Sequence, residues 1–144
     1  MLAGKPAAAD LEAEKKLHRL MRKVLSQPGV RAIHDVGEGG ILWALAEMTF
    51  GETSAGADVI LPAGGERPEE ALFGEGGGRV ILELNAEAVS GVEVLAKEAQ
   101  VGFTRLGQTG GRELKVVCGS IQETWAVAEL RNSFETSLPK ALET

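Results

Sequence analysis

Between Gly40 and Phe50 the chain reads as a helix that is apolar almost all the way round, with Ile41, Leu42, Trp43, Leu45, Met48 and Phe50 interrupted by a single charge, Glu47. A helix without a polar face must be covered on several sides. The chain therefore has to build layers around it, and Trp43 is expected to serve as a core or domain-interface anchor whose truncation to alanine, if the indole is buried, costs about 3–5 kcal/mol. Glu47 is expected at the rim of that packing, since a buried carboxylate without a partner is costly.

The helix is entered from a short strand, Val30 to Ile33, through the turn His34-Asp35-Val36-Gly37-Glu38-Gly39-Gly40. Gly37, Gly39 and Gly40 are expected to turn the chain with positive φ and to let main-chain N–H groups approach a ligand closely. The helix start adds its partial positive charge, which together makes a place for an anion. His34 and Asp35 stand at the lip of the turn, placed for a phosphate, a metal or each other. Neither G-x-G-x-x-G nor G-x-x-x-x-G-K-S/T is present, so the dinucleotide and P-loop fingerprints do not apply. A purely structural strand-to-helix joint is the competing reading of the same glycines.

Elsewhere strands and helices alternate. Asp10 is expected to cap a helix whose Leu17, Leu20, Met21, Val24 and Leu25 fall on one face, with Glu12 and Glu14 at its start and Arg22 and Lys23 at its end in accord with the macrodipole. Ser26-Gln27-Pro28-Gly29 breaks it. Strands are predicted over Ala57–Leu61, Arg79–Leu84 and Val101–Leu106, with a short helix at Pro68–Phe73, a helix from Asn85 to about Ala99, a hairpin of Glu113–Cys118 with Ile121–Trp125, and a closing helix over Val127–Leu138. This order predicts an α/β (α+β) fold, a mixed β-sheet with helices packed on it. Residues 1–9 read as a linker and residues 10–144 as one domain.

A second glycine loop, Gly74-Glu75-Gly76-Gly77-Gly78, precedes Arg79. If both loops lie on one face, Glu75 and Arg79 join His34 and Asp35 in a polar cluster, the acid holding a metal or an amine and the guanidinium a phosphate. The alternative is an Arg79–Glu75 surface pair with Asp35 capping the helix. Both arrangements are open at the level of sequence.

Composition narrows the classes. With 144 residues, 44% hydrophobic and 25% charged, the chain has the make-up of a globular domain. It carries a net charge of −6 and no tyrosine, and it has no basic cluster beyond Lys15-Lys16 and Arg19 with Arg22-Lys23, which are helical-face charges, so nucleic-acid and anionic-membrane partners are disfavoured. There is no transmembrane-length apolar run and no secretory signal pattern, so the cytoplasm is the expected compartment. The lone cysteine, Cys118, reads as a small core residue in a strand. With only His18 and His34 beside it the usual zinc clusters are excluded, and His18 reads as solvated. A hard cation such as magnesium, held by carboxylate and phosphate oxygens, suits the residues that remain.

His34-Asp35-Val36-Gly37-Glu38-Gly39-Gly40-Ile41 followed by Ala44-Leu45-Ala46-Glu47-Met48 resembles the H-D-V-S-D/E-G-G-L…A-L-A-E-M signature of phosphoribosylformylglycinamidine synthase. Three further segments resemble the same family in the same order. These are Leu72-Phe73-Gly74-Glu75 with Arg79-Val80-Ile81-Leu82, then Ala99 to Gly102 with Arg105 to Gly111, and the tail Leu130-Arg131-Asn132-Ser133-Phe134 with Leu138-Pro139. The chain departs from the pattern at Gly37, where the family has serine, and at Gly76 and Gly77, where it has polar residues. The hydroxyl that would bond a phosphate oxygen is thus lost at Gly37, while the backbone N–H remains.

The resemblance implies an aminoimidazole ribonucleotide synthetase-like C-terminal domain, the last part of an ATP-dependent carbon–nitrogen ligase of purine biosynthesis. In that reaction the ATP γ-phosphate activates the amide oxygen of formylglycinamide ribonucleotide, and ammonia from a glutaminase subunit or domain displaces it. The implied phosphate- or nucleotide-binding residues are His34, Asp35, Gly37, Gly39, Gly40, Glu75 and Arg79, with ATP or ADP and Mg2+ as ligands of the full enzyme. The catalytic histidine and most metal ligands would lie in the remaining synthetase domains, so this chain carries no catalytic residue of its own. Two other readings are a different enzyme of the superfamily, such as aminoimidazole ribonucleotide synthetase, selenophosphate synthetase or thiamine-phosphate kinase, and a non-catalytic interaction module.

Overall fold

The computed structural model describes residues 9–51, 54–62 and 67–142. The linker expected over residues 1–9 falls, except for Ala9, outside them. In chain order the elements are α1 (Leu11–Val24), β1 (Val30–Asp35), α2 (Gly40–Met48), β2 (Ala57–Leu61), α3 (Pro68–Phe73), β3 (Val80–Leu84), α4 (Ala86–Glu98), β4 (Gly107–Thr109), β5 (Glu113–Cys118), β6 (Ile121–Ala126) and α5 (Val127–Leu142). The expected mixture of sheet and packed helix is present. It is divided between two compact units, one made of the chain up to Gly37 with Glu75–Thr104, the other of Glu38–Gly74 with the chain from Arg105 onward.

In the first unit α1 begins as its sequence dictates, with the Asp10 carboxylate accepting from the N–H groups of Glu12 at 3.1 Å and Ala13 at 3.0 Å. Its Leu20 and Val24 form a buried cluster with Val92 and Ala96 of α4, and Ile33, Leu82 and Leu84 pack against it from the strands. β1 and β3 pair antiparallel, Ile33 opposite Leu82 and Asp35 opposite Val80, with a register irregularity near Ala32. The strand predicted over Val101–Leu106 is not formed. Val101 and Phe103 instead lend their side chains to the α1–α4 core, so the apolar spacing there serves packing rather than a ladder.

The second unit holds a four-stranded sheet in the order β4-β2-β5-β6, with β2 and β5 parallel and the other pairs antiparallel. Period-two alternation buries Ala57, Val59 and Leu61 of β2 beside their register partners Leu114, Val116 and Cys118 of β5, whose exposure is at most 1%. Cys118 is thus the core residue its strand position predicts, with its thiol 3.9 Å from the Pro68 carbonyl of α3. β4 starts at Gly107, where a Cβ would overlap the Asp58 carbonyl; Gly56 likewise lies directly on the Glu113 backbone. Only glycine permits these approaches.

α5 runs past the predicted end at Leu138, through Pro139, to Leu142. Near a helix end a proline removes one N–H bond, and its fixed φ suits the helix, so the last turn survives. The apolar helix α2 is less covered than its composition suggests: Ala44, Leu45 and Ala46 are buried, but Trp43 keeps 46% exposure and lies against Phe134 of α5, ring centroids 5.8 Å apart. Glu47 is half-buried.

Three substitutions test this packing by urea denaturation. Gly107→Ala is expected to lose about 2–4 kcal/mol, because the backbone of β2 must shift. By contrast Gly91→Ala, where a Cβ on exposed α4 meets nothing within 4 Å, should gain about 0.5–1 kcal/mol. Trp43→Ala should cost about 1–2 kcal/mol rather than the value for a buried indole, given the indole's exposure.

Candidate phosphate-binding turn

The ladder of the first unit fixes which side chains share a face. Asp35 stands opposite Val80 and His34 opposite Ile81, and the Val36 N–H donates to the Arg79 carbonyl at 3.0 Å, carrying the same register one residue further. Opposed residues of an antiparallel pair project to one side. By register, His34, Val36, Arg79 and Ile81 therefore occupy one face, and Asp35 occupies the other. Burial agrees: Val36 and Ile81 are buried, His34 and Arg79 half-buried, and the Asp35 side chain 89% exposed.

His34 Nδ1 lies 2.6 Å from the carbonyl oxygen of Asp35. A carbonyl only accepts, so Nδ1 is the donor in this contact. Arg79 Nε reaches the Gly76 carbonyl at 3.5 Å, long for a hydrogen bond. An imidazole and a guanidinium on one face form a pair suited to an anion. Glu75, exposed, opens the loop that leads into β3. That loop runs along α1: Cβ atoms at Gly77 or Gly78 would each come within 3.1 Å of the Glu14 carboxylate, and Gly78 has φ +77°. No local sequence pattern signals Glu14 as the neighbour of a loop more than sixty residues away.

In the second unit α2 opens on two left-handed glycines. Gly39, the N-cap, has φ +74° and Gly40 has φ +71°. Gly37 is not among the residues with positive φ, so the turn needs two special conformations rather than the three expected. A Cβ on Gly40 would sit 2.6 Å from the Leu72 carbonyl at the end of α3, and one on Gly39 2.8 Å from the Trp43 Cβ. Packing alone thus requires glycine at both positions. The end they shape still differs from that of α1: no side chain caps α2 and its first turn has no acid, whereas α1 has the Asp10 cap with Glu12 and Glu14. Asp35 does not cap α2.

Among the described residues no group of three or more His, Cys, Asp or Glu is placed to hold a metal ion, and no helix is long and apolar enough to cross a membrane.

Two substitutions separate the packing role from mere loop composition. Gly40→Ala is expected to destabilise the chain by about 2–4 kcal/mol, through both its φ and the α3 backbone. Gly37→Ser, where the nearest atom to a new Cβ is an Asp35 carboxylate oxygen at 3.7 Å, should stay within about 0.5 kcal/mol of wild type. Thermal melts of both variants check the pair.

A family model described as AIR synthase related protein, C-terminal domain, matches residues 2–119. The chain is 32% identical over 143 residues to the phosphoribosylformylglycinamidine synthase subunit PurL of Parasynechococcus marenigrum, which covers 99% of this chain and 18% of that protein. It is 36% identical over 141 residues to the same subunit of Thermus thermophilus, covering 97% and 19%. It therefore spans about a fifth of the length of these curated relatives. Among solved structures it resembles T. maritima PurL complexed with ATP, with a TM-score of 0.74 at 20% identity over 86% of this chain and 22% of that one. The ADP complex of the same protein gives 0.70 at 19% identity over 85% and 22%. At such identity the likeness is one of fold.

Proposed function

This chain belongs to the family of AIR synthase related proteins, as their C-terminal domain, and from that premise we propose that it serves as the C-terminal domain of a phosphoribosylformylglycinamidine synthase subunit. The observation that carries the proposal is similarity to that subunit over 97–99% of the chain, tail included. Residues 10–144 then act as one domain of a cytoplasmic, ATP-dependent carbon–nitrogen ligase whose partners are the remaining synthetase domains and a glutaminase subunit or domain.

The proposed role of its residues is to hold phosphate, not to break bonds. Backbone N–H groups at Gly37, Gly39 and Gly40 and the uncapped start of α2 supply partial positive charge. Arg79, and His34 with its ring protonated at Nε2 as well, stand on one face of the β1–β3 ladder and are the proposed donors to phosphate oxygens. Asp35 and Glu75 are the carboxylates proposed to meet a cation. Magnesium, when bound with the nucleotide, would neutralise phosphate oxygens and take its other ligands from those oxygens and from other domains. T. maritima PurL has been solved with ATP and with ADP, which supports a nucleotide as the ligand. The turn is proposed to hold the phosphates of that nucleotide.

The expected outcome in solution is that the purified 144-residue chain converts no formylglycinamide ribonucleotide with ATP and ammonia. Added to a synthase subunit that lacks its own matching segment, it should restore ammonia-dependent turnover. Turnover by the chain alone, or no restoration by the folded chain at saturating concentration, would overturn the proposal.

A further inference from the structure

The second unit exposes an apolar face that its own packing does not use. Along α5, Phe134, Leu138 and Leu142 recur every fourth residue and are 48%, 67% and 77% exposed. The Phe134 ring lies 5.8 Å from Trp43 and 5.3 Å from Phe50, centroid to centroid, so α2 and α5 contribute to a single patch that Leu138 extends by one turn. Beside it, Arg131 and Glu135 neutralise each other at 2.8 Å. The rim thus offers no unbalanced charge from this pair, and apolar burial around an exposed indole is the chemistry available to a partner.

What covers the patch is indicated by where two similarities end. The family-wide match stops at residue 119, before β6 and α5. Similarity to the synthase subunits continues through the tail. α5 is therefore shared with the synthase subunits, in which this chain corresponds to about a fifth of the length, and the occupant we argue for is in the roughly four fifths that the chain does not span.

We infer that the Trp43–Phe134–Leu138 face docks on an apolar surface of another domain of the same synthase subunit. The inference rests on the proposed function. Its test is a binding titration of the whole chain, by sedimentation or calorimetry, against a synthase subunit from which the matching C-terminal segment has been removed. Wild type should form a one-to-one complex whose affinity changes little with salt. Leu138→Glu, on an exposed helical surface, should fold as wild type by circular dichroism and weaken the complex by at least about tenfold. Leu11→Glu, at an equally exposed leucine of α1, should leave it unchanged. Equal affinity for Leu138→Glu and wild type would overturn the docking face while leaving the proposed function standing. Self-association of the chain abolished by Leu138→Glu would make a second copy the occupant and overturn it too. No complex with wild type at any concentration would overturn the proposed function itself.

Discussion

The constraint on which the turn depends is the contact of backbone with backbone at Gly40, where the first turn of α2 lies directly on the final residues of α3 with no room for a Cβ. That contact fixes where α2 starts, and with it the direction in which the unbonded N–H groups of its first turn point. A side chain of any size would push the helix away from α3 and re-aim those groups. The same economy of space recurs at Gly56 and Gly107, where β2 meets its neighbours.

In the first unit the candidate chemistry lies on the β1–β3 ladder. β1 delivers His34 to the face that also carries Arg79, and in the short contact of His34 with the Asp35 carbonyl Nδ1 is the donor. Asp35 projects from the opposite face. Strand parity thus puts His34 and Arg79 on one face of the ladder and Asp35 on the other, its carboxylate still 4.0 Å from His34 Nδ1. An arrangement of this kind suits holding an oxyanion better than proton abstraction or nucleophilic attack, for which a base or nucleophile would have to face the reacting group.

Much of the fold was legible because it rests on local rules. Asp10 caps α1 as its residue type predicts, β2 alternates with a period of two, and Gly119-Ser120 closes the β5–β6 hairpin. What was not legible depends on distant contacts. The apolar spacing of Val101 and Phe103 looks like a strand, yet those side chains are drawn to the α1–α4 core. Three glycines in the turn look alike in sequence, and only the packing of α3 and Trp43 distinguishes Gly39 and Gly40 from the unconstrained Gly37. Trp43 in an all-apolar helix reads as buried, whereas the structure leaves nearly half of it exposed beside α5. That Arg79 shares a face with His34 follows from ladder register, which no single strand reveals.

The measurement that bears most directly on the turn is a titration of magnesium ADP into the complex of this chain with the rest of a synthase subunit, following the backbone amide resonances of residues 37–41 in the labelled chain. The account predicts that the amides of Gly39, Gly40 and Ile41 shift and saturate in step with bound nucleotide. Saturable nucleotide binding by the complex with those amides unmoved would contradict it, and would leave the turn as a joint between a strand and a helix.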